Sequence, residues 1–202
     1  MENISLLKKN TTLIIVTKTH SLNYIKPLID IGHLNFGENK VQEAIIKWKN
    51  ILIVNKNLKL HMLGKLQSNK AKVAFEIFNY IHSLDNEKLA QIFARLESNS
   101  IKKVKYFIQV NVGNESQKSG IAINQLNEFV KYCINDLKLN VIGLMCLPPI
   151  EGDSKYYFRN LAKLANDNKL SELSMGMSSD YESAIINGAT FVRIGSKIFS
   201  AN

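Results

Sequence analysis

Thr12-Leu-Ile-Ile-Val-Thr-Lys18-Thr19 is a run of apolar and β-branched residues that leads into a lysine. Branched side chains crowd a helix but pack well on a pleated surface, and Ser21 behind the run is a helix-start signal. The stretch therefore predicts a buried strand that hands over to a helix. The same alternation continues outward along the chain. Strand-like stretches fall at 13–17, 34–36, 60–63, 80–84, 106–112, 141–145, 173–175 and 191–194, with helical periodicity at 22–31, 41–48, 69–77, 87–96, 124–133, 154–168 and 179–187. Punctuation agrees: Ser21, Asn69 and Ser179 stand near helix starts, and Gly32 and Gly188 stand just past helix ends, where a left-handed cap suits glycine. Eight strands and seven intervening helices predict a single α/β domain over 1–202, a (β/α)8 TIM barrel at the small end for that fold. A doubly wound open sheet is the competing arrangement, but no G-x-G-x-x-G turn follows the first strand or occurs elsewhere.

Bulk properties narrow the function classes. With 46% hydrophobic side chains and three prolines in 202 residues, the chain has material for one sizeable core. No run of eighteen apolar residues occurs, and residues 1–10 lack the apolar centre and small-residue cleavage site of a signal peptide, so a cytoplasmic location without membrane attachment is expected. Cys133 and Cys146 form no C-x-x-C pair, which fits a reducing compartment. His20, His33, His61 and His82 show no metal-ligand spacing, so no metal is expected. A net charge of +9 would attract anions. Yet the lysines are dispersed among asparagine and isoleucine, with no basic block interleaved with aromatics, and this argues against specific nucleic-acid binding.

The chemistry concentrates at predicted strand ends. Lys18 is expected at the carboxyl edge of the first strand, the edge where α/β proteins place their sites. Partial loss of hydration there would favour the neutral, nucleophilic amine, which can form a Schiff base with an aldehyde. The alternative is a strand-terminal lysine reaching into solvent. At the other end of the chain, Phe191-Val-Arg193-Ile-Gly195-Ser196 closes the last strand with a glycine and a hydroxyl, and Leu173-Ser174-Met175-Gly176-Met-Ser178-Ser-Asp180 supplies a second small, polar turn. Loops after strands 7 and 8 are the usual phosphate site of barrels, and each charge-assisted hydrogen bond to a phosphate would contribute roughly 1.5–3 kcal/mol. An amine facing a phosphate cradle is what pyridoxal 5′-phosphate requires. Arg193 shares a strand face with Phe191; its other reading is a surface ion pair. Asn39, in Phe36-Gly37-Glu38-Asn39, either meets a ligand's ring substituents or caps the next helix. Leu63-Gly64-Lys65-Leu66-Gln67-Ser68-Asn69-Lys70 adds a cation cluster after strand 3, with Ser68 or Asn69 as cap.

Taken in order, V-T-K-T around Lys18, N-F-G-E-N-K-V-Q-E-A from Asn35, L-H-M-L-G-K-L-Q-S-N-K from Leu60, I-H-S-L-D from Ile81, Q-V-N-V-G-N-E-S-Q-K-S-G from Gln109, I-G-L-M-C-L-P from Ile142, L-S-M-G-M-S-S-D-Y-E-S-A-I from Leu173 and G-A-T-F-V-R-I-G-S-K-I-F from Gly188 resemble the pyridoxal phosphate homeostasis protein family. The resemblance implies an alanine racemase N-terminal-like barrel, usually monomeric, that carries or regulates pyridoxal 5′-phosphate and has no secure catalytic activity. It implies that Lys18 forms the Schiff base, that Asn39 meets the ring side, that Arg193 partners the pyridine nitrogen, and that Ser174, Met175, Gly195 and Ser196 surround the phosphate. It also implies apo-enzymes that need the cofactor as possible partners. An arginine beside the pyridine nitrogen would discourage its protonation and weaken the ring as an electron sink, which suits storage better than carbanion chemistry. A slow racemase or another Schiff-base enzyme is the alternative; the second acid/base of a racemase comes from a second domain, for which this chain leaves no room. Departures from the family are also visible. Only seventeen residues precede Lys18 and the chain stops at Asn202, so an incomplete outer helical ring is expected. Thr19-His20-Ser21 replaces a frequent proline, and Lys65 a more usual histidine or small residue.

Overall fold

The computed structural model describes residues 11–115 and 117–199. The amino-terminal stretch read above for a signal peptide, residues 1–10, lies outside the described residues, as does Asn202. Eight parallel strands close into a barrel in sequence order: β1 (Thr12–Val16), β2 (Asn35–Glu38), β3 (Lys59–Met62), β4 (Tyr80–Leu84), β5 (Lys105–Val110), β6 (Val141–Cys146), β7 (Glu172–Ser174) and β8 (Phe191–Ile194). Closure is made by β1 against β8, in a register running from Thr12↔Phe191 to Ile15↔Ile194. Between the strands lie α1 (Leu22–Asp30), α2 (Val41–Val54), α3 (Ala71–Ile77), α4 (Glu87–Ser98), α5 (Leu126–Lys131), α6 (Ser154–Asp167) and α7 (Tyr181–Ile186), and α8 (Ser196–Phe199) follows β8.

Strand alternation divides the apolar residues into two cores. One set packs the outside of the barrel against the helices, with Phe36, Leu60, Ile81, Tyr106, Val192 and Ile194 among its members. The other fills the interior: Ile14, Leu63, Phe107, Met145 and Phe191. Because side chains repeat every two residues along a strand, a residue between two outward-facing ones must point in. That rule sends His61 and Arg193 into the barrel, and His82, next to outward-facing Ile81, joins them against Phe107; the three are 0%, 4% and 0% exposed.

The structure differs from the sequence expectation mainly at element ends. The second strand runs to Glu38 and not Phe36. α2 continues through Ile51, Leu52, Ile53 and Val54 beyond the expected end at Trp48, since nothing there breaks a helix. α5 widens into a π turn over Tyr132–Asp136, and α8 was not anticipated. Gly32 and Gly188 adopt φ of +88° and +96° just past α1 and α7, as their positions suggested. The proposed amino-terminal caps fare differently. Ser21 holds the cap position of α1 without a side-chain bond, Asn69 lies inside a short 3-10 turn (Ser68–Lys70), and Asp180, not Ser179, precedes α7. Side-chain caps come instead from Asn86, accepting from Leu89 N at 2.9 Å, and Asp153, accepting from Lys155 N at 2.9 Å.

Candidate functional site

At the carboxyl ends of β1, β2, β7 and β8 a cavity of about 480 Å³ is lined by Lys18, Asn39, Met177, Ser178, Ser179, Arg193, Gly195 and Ser196, with Val16, Leu63 and Leu147 as its apolar wall. Five of the seven residues singled out from sequence thus meet in one place. Ser174 and Met175 do not join them. β7 ends at Ser174, so both are fully buried; Met175 packs into the outer core, and Ser174 lies beneath Arg193 in the barrel interior. The serines that line the cavity from this turn are Ser178 and Ser179, four and five residues later.

Lys18 is exposed on the turn that follows β1, two residues past the strand's end. Lys18 thus stands on an exposed turn and not at a buried strand end, and the protein holds the backbone beneath it. Glu38, fully buried at the end of β2, accepts through Oε1 from Thr17 Oγ1 (2.7 Å), Lys47 Nζ (2.8 Å) and Trp48 Nε1 (2.9 Å). Lys47 Nζ also donates to the Thr17 carbonyl at 2.7 Å, so one ammonium ties α2 to the peptide immediately before Lys18. On the other side Thr19 is held at φ +65°, with its hydroxyl donating to the Lys18 carbonyl at 2.6 Å. A β-branched residue in the left-handed region is strained, by roughly 1–3 kcal/mol, and such strain is kept where the surroundings fix it.

Asn39 is not the helix cap, because Lys40 occupies that position, and its side chain is left to line the cavity. Its placement depends on Gly64: a Cβ there would collide with the Asn39 carbonyl oxygen, so the β3 loop can press on the β2 loop only as glycine. At the β7 and β8 turns, Gly195 N and Lys197 N both donate to Ser178 Oγ, at 3.3 and 3.4 Å. These are long for N–H···O bonds, whose usual length is about 2.9–3.0 Å, and they bring two N–H groups together on one hydroxyl.

Arg193 forms the floor. Its Nη1 donates to Ser174 Oγ at 2.7 Å and its Nη2 to the Cys146 carbonyl at 2.9 Å, both neutral acceptors. Burial lowers its pKa from the ordinary value, partly offset by Cys146 and Asp180 nearby. Beneath it the polar contacts continue: Ser174 Oγ to His82 Nδ1 (2.9 Å), His82 Nε2 to His61 Nδ1 (3.0 Å), and His61 Nε2 to Asn35 Oδ1 (3.1 Å). His82 stacks on Phe107 at 4.3 Å between ring centroids and His61 on Tyr80 at 4.3 Å. Burial pulls the His61 imidazole down to about 3, with the His33 charge adding to it. Burial, His61 and Arg193 together hold His82 well below the usual histidine range.

Sequence reading missed this interior column and the Glu38–Lys47–Trp48 group. Alternation held the signal for the histidines, since Leu60 and Met62 flank His61 with outward-facing apolar side chains. Lys47 carried no signal in sequence, because its role arises from α2 lying across the end of β1. The two cysteines are buried free thiols, each pushed up to about 12 chiefly by burial. Among the described residues no group of three His, Cys, Asp or Glu could hold a metal ion, and no helix is long and apolar enough to cross a membrane.

Residues 1–202 match the family described as alanine racemase, N-terminal domain. The pyridoxal phosphate homeostasis protein of Aquifex aeolicus is 38% identical over 193 residues, covering 91% of this chain and 83% of that one. Its counterpart in Escherichia coli is 33% identical over 199 residues, covering 94% and 85%. Among solved structures, PipY of Synechococcus elongatus without PLP superposes with a TM-score of 0.88 at 34% identity, over 96% of this chain and 94% of that one. The same protein with PLP bound gives 0.86. An alanine racemase from Clostridium difficile shares the fold, with a TM-score of 0.75 at 15% identity over 53% of its own length.

Proposed function

The chain belongs to the alanine racemase N-terminal domain family and, within it, to the pyridoxal phosphate homeostasis proteins, and from that premise we propose that it holds pyridoxal 5′-phosphate between Lys18 and the turns after β7 and β8. In this reading it is a cytoplasmic, monomeric carrier or regulator of the free cofactor, supplying apo-enzymes that need it. The observation that carries the reading is the meeting of Lys18, Asn39, Arg193, Gly195 and Ser196 around one cavity of about 480 Å³, within the usual range for a small-molecule site.

The residues fit the group. When bound, the cofactor supplies an aldehyde that condenses reversibly with an amine, releasing water. Lys18 Nζ is the amine offered to it at the cavity rim. Gly195 N, Lys197 N and Ser178 Oγ suit the phosphate dianion, and their long mutual hydrogen bonds can be exchanged for shorter ones to its oxygens. Arg193 can only donate, so a ring nitrogen that meets it must accept and stay unprotonated. That arrangement withholds the electron sink a racemase needs, and it is why carriage is favoured over catalysis.

Purified protein mixed with pyridoxal phosphate should develop a visible absorption band. Borohydride should then fix the cofactor to Lys18 alone, and Lys18→Ala should lose both signals. A colourless wild type, or label on another lysine, would overturn the assignment. Rapid solvent-deuterium exchange at the α carbon of an amino acid would move the reading to the enzyme alternative.

A further inference from the structure

Arg193 fixes where the protons lie in the column beneath it. A guanidinium has donors and no acceptor, so Nη1 must give its hydrogen to Ser174 Oγ, 2.7 Å away. Ser174 then sends its own hydrogen to His82 Nδ1 at 2.9 Å. The reverse polarity would bring two hydrogens onto Ser174 Oγ and leave its own without an acceptor among the described residues. His82 Nδ1 therefore accepts, and a neutral imidazole carries its single N–H on the other nitrogen. His82 Nε2–H points to His61 Nδ1 at 3.0 Å, and by the same step His61 Nε2–H points to Asn35 Oδ1 at 3.1 Å. Every hydrogen in the column is directed away from Arg193.

Two consequences follow for the cavity floor. Each dipole turns its negative end toward the guanidinium, so the column steadies a buried cation that has no carboxylate hydrogen-bonded to it among the described residues. The cation also keeps its net charge, which a carboxylate partner would cancel, and presents it to whatever occupies the cavity. The groups facing the two rings are His33, Asn35, Tyr80 and Phe191 against His61, and Tyr80, Phe107, Phe191, Ser174 and Arg193 against His82, with the two imidazoles facing each other. Among the described residues no carboxylate contacts either ring.

We propose that His82 and His61 are positioning residues of the cofactor site, holding the Arg193 guanidinium through Ser174 as a fixed donor in the cavity floor. This rests on the assignment of the cavity to pyridoxal phosphate, and the tests separate the two. In the full-length chain without added cofactor, nitrogen-15 spectra should show both rings neutral and protonated on Nε2 from roughly pH 5.5 to 8. The opposite tautomer at His82, or titration of either ring in that interval, would overturn the proposal whether or not the cofactor binds. His82→Phe removes the acceptor, whereas His82→Asn keeps an oxygen near the position of Nδ1. The dissociation constant for pyridoxal phosphate should rise about 10-fold in His82→Phe, with a displaced visible band, and stay within about 3-fold of wild type in His82→Asn. Wild-type affinity and spectrum in His82→Phe would sink the proposal and leave the cofactor assignment intact. If His82→Phe does not fold, the wild-type tautomers and the His82→Asn spectrum still decide. A wild type that gives no band refutes the cofactor assignment and with it the proposal, though the tautomer measurement would still report the polarity of the column.

Discussion

Glu38 shows how much rests on one carboxylate. Three donors converge on its Oε1, and of these only Lys47, itself 12% exposed in its side chain, carries charge. Lys47→Met would leave a buried anion without a cation, a change that costs about 3–5 kcal/mol, and urea unfolding should show a loss of that size. Adding Glu38→Gln should recover part of it, because the remaining donors can serve a neutral amide oxygen. Thr19 predicts the opposite sign. Thr19→Gly relieves a left-handed β-branched residue and should raise stability by up to about 1 kcal/mol, after the greater freedom of glycine in the unfolded chain is deducted; an unchanged or lower midpoint would show that Thr19 is not strained. At this scale the sequence was legible wherever a motif carried chemistry in its own residue types. The motifs that hold Lys18, Asn39, Arg193, Gly195 and Ser196 lie far apart in sequence and line one cavity in the structure. Ser174 was placed at the phosphate turn because a serine in a small-residue turn looks the same whether it faces the ligand or the residue beneath it. Only the end of β7 separates the two serines, and strand ends are set by the neighbouring strands.

Elements were easier to read than their ends. All eight strands were visible as apolar or alternating runs because each is buried on both sides or packed on one, and the helices between them show a 3.6-residue period. The cap residues misled where tertiary contacts took the side chain or its backbone elsewhere, as with Asn69 in its 3-10 turn. The loops carry their own constraint. Gly64→Ala would drive a methyl into the Asn39 carbonyl, forcing the β2 and β3 loops apart. Stability should fall by about 1–3 kcal/mol, and affinity for pyridoxal phosphate should fall with it, since Asn39 would leave the cavity wall. Normal affinity in a folded Gly64→Ala protein would show that Asn39 is not needed there.

For the molecule as a whole, the buried histidines set the acid limit. His61 lies near 3 and His82 well below its ordinary value, while both return to about 6.5 in the unfolded chain. Below about pH 6.5 the unfolded chain binds more protons than the folded one, so the stability present above that pH is lost as the pH falls, by up to about 1.4 kcal/mol per unit for each ring. Thermal unfolding should be level between about pH 7 and 8 and decline from about pH 6 downward, and His61→Gln should remove one ring's share of that slope. A midpoint independent of pH between about 4 and 8 would contradict the burial of these rings. Composition gave no hint of this limit, because four histidines in 202 residues say nothing about where they lie. The seam at which β1 meets β8 carries a last implication. Lys18 arrives from one side of it and Arg193, Gly195 and Ser196 from the other, so the grip on a ligand exists only after the two most distant parts of the chain have come together. A half-made or loosened polypeptide would lack the proposed grip, and any affinity of the finished barrel would become extra resistance to unzipping, growing with the logarithm of the ligand concentration.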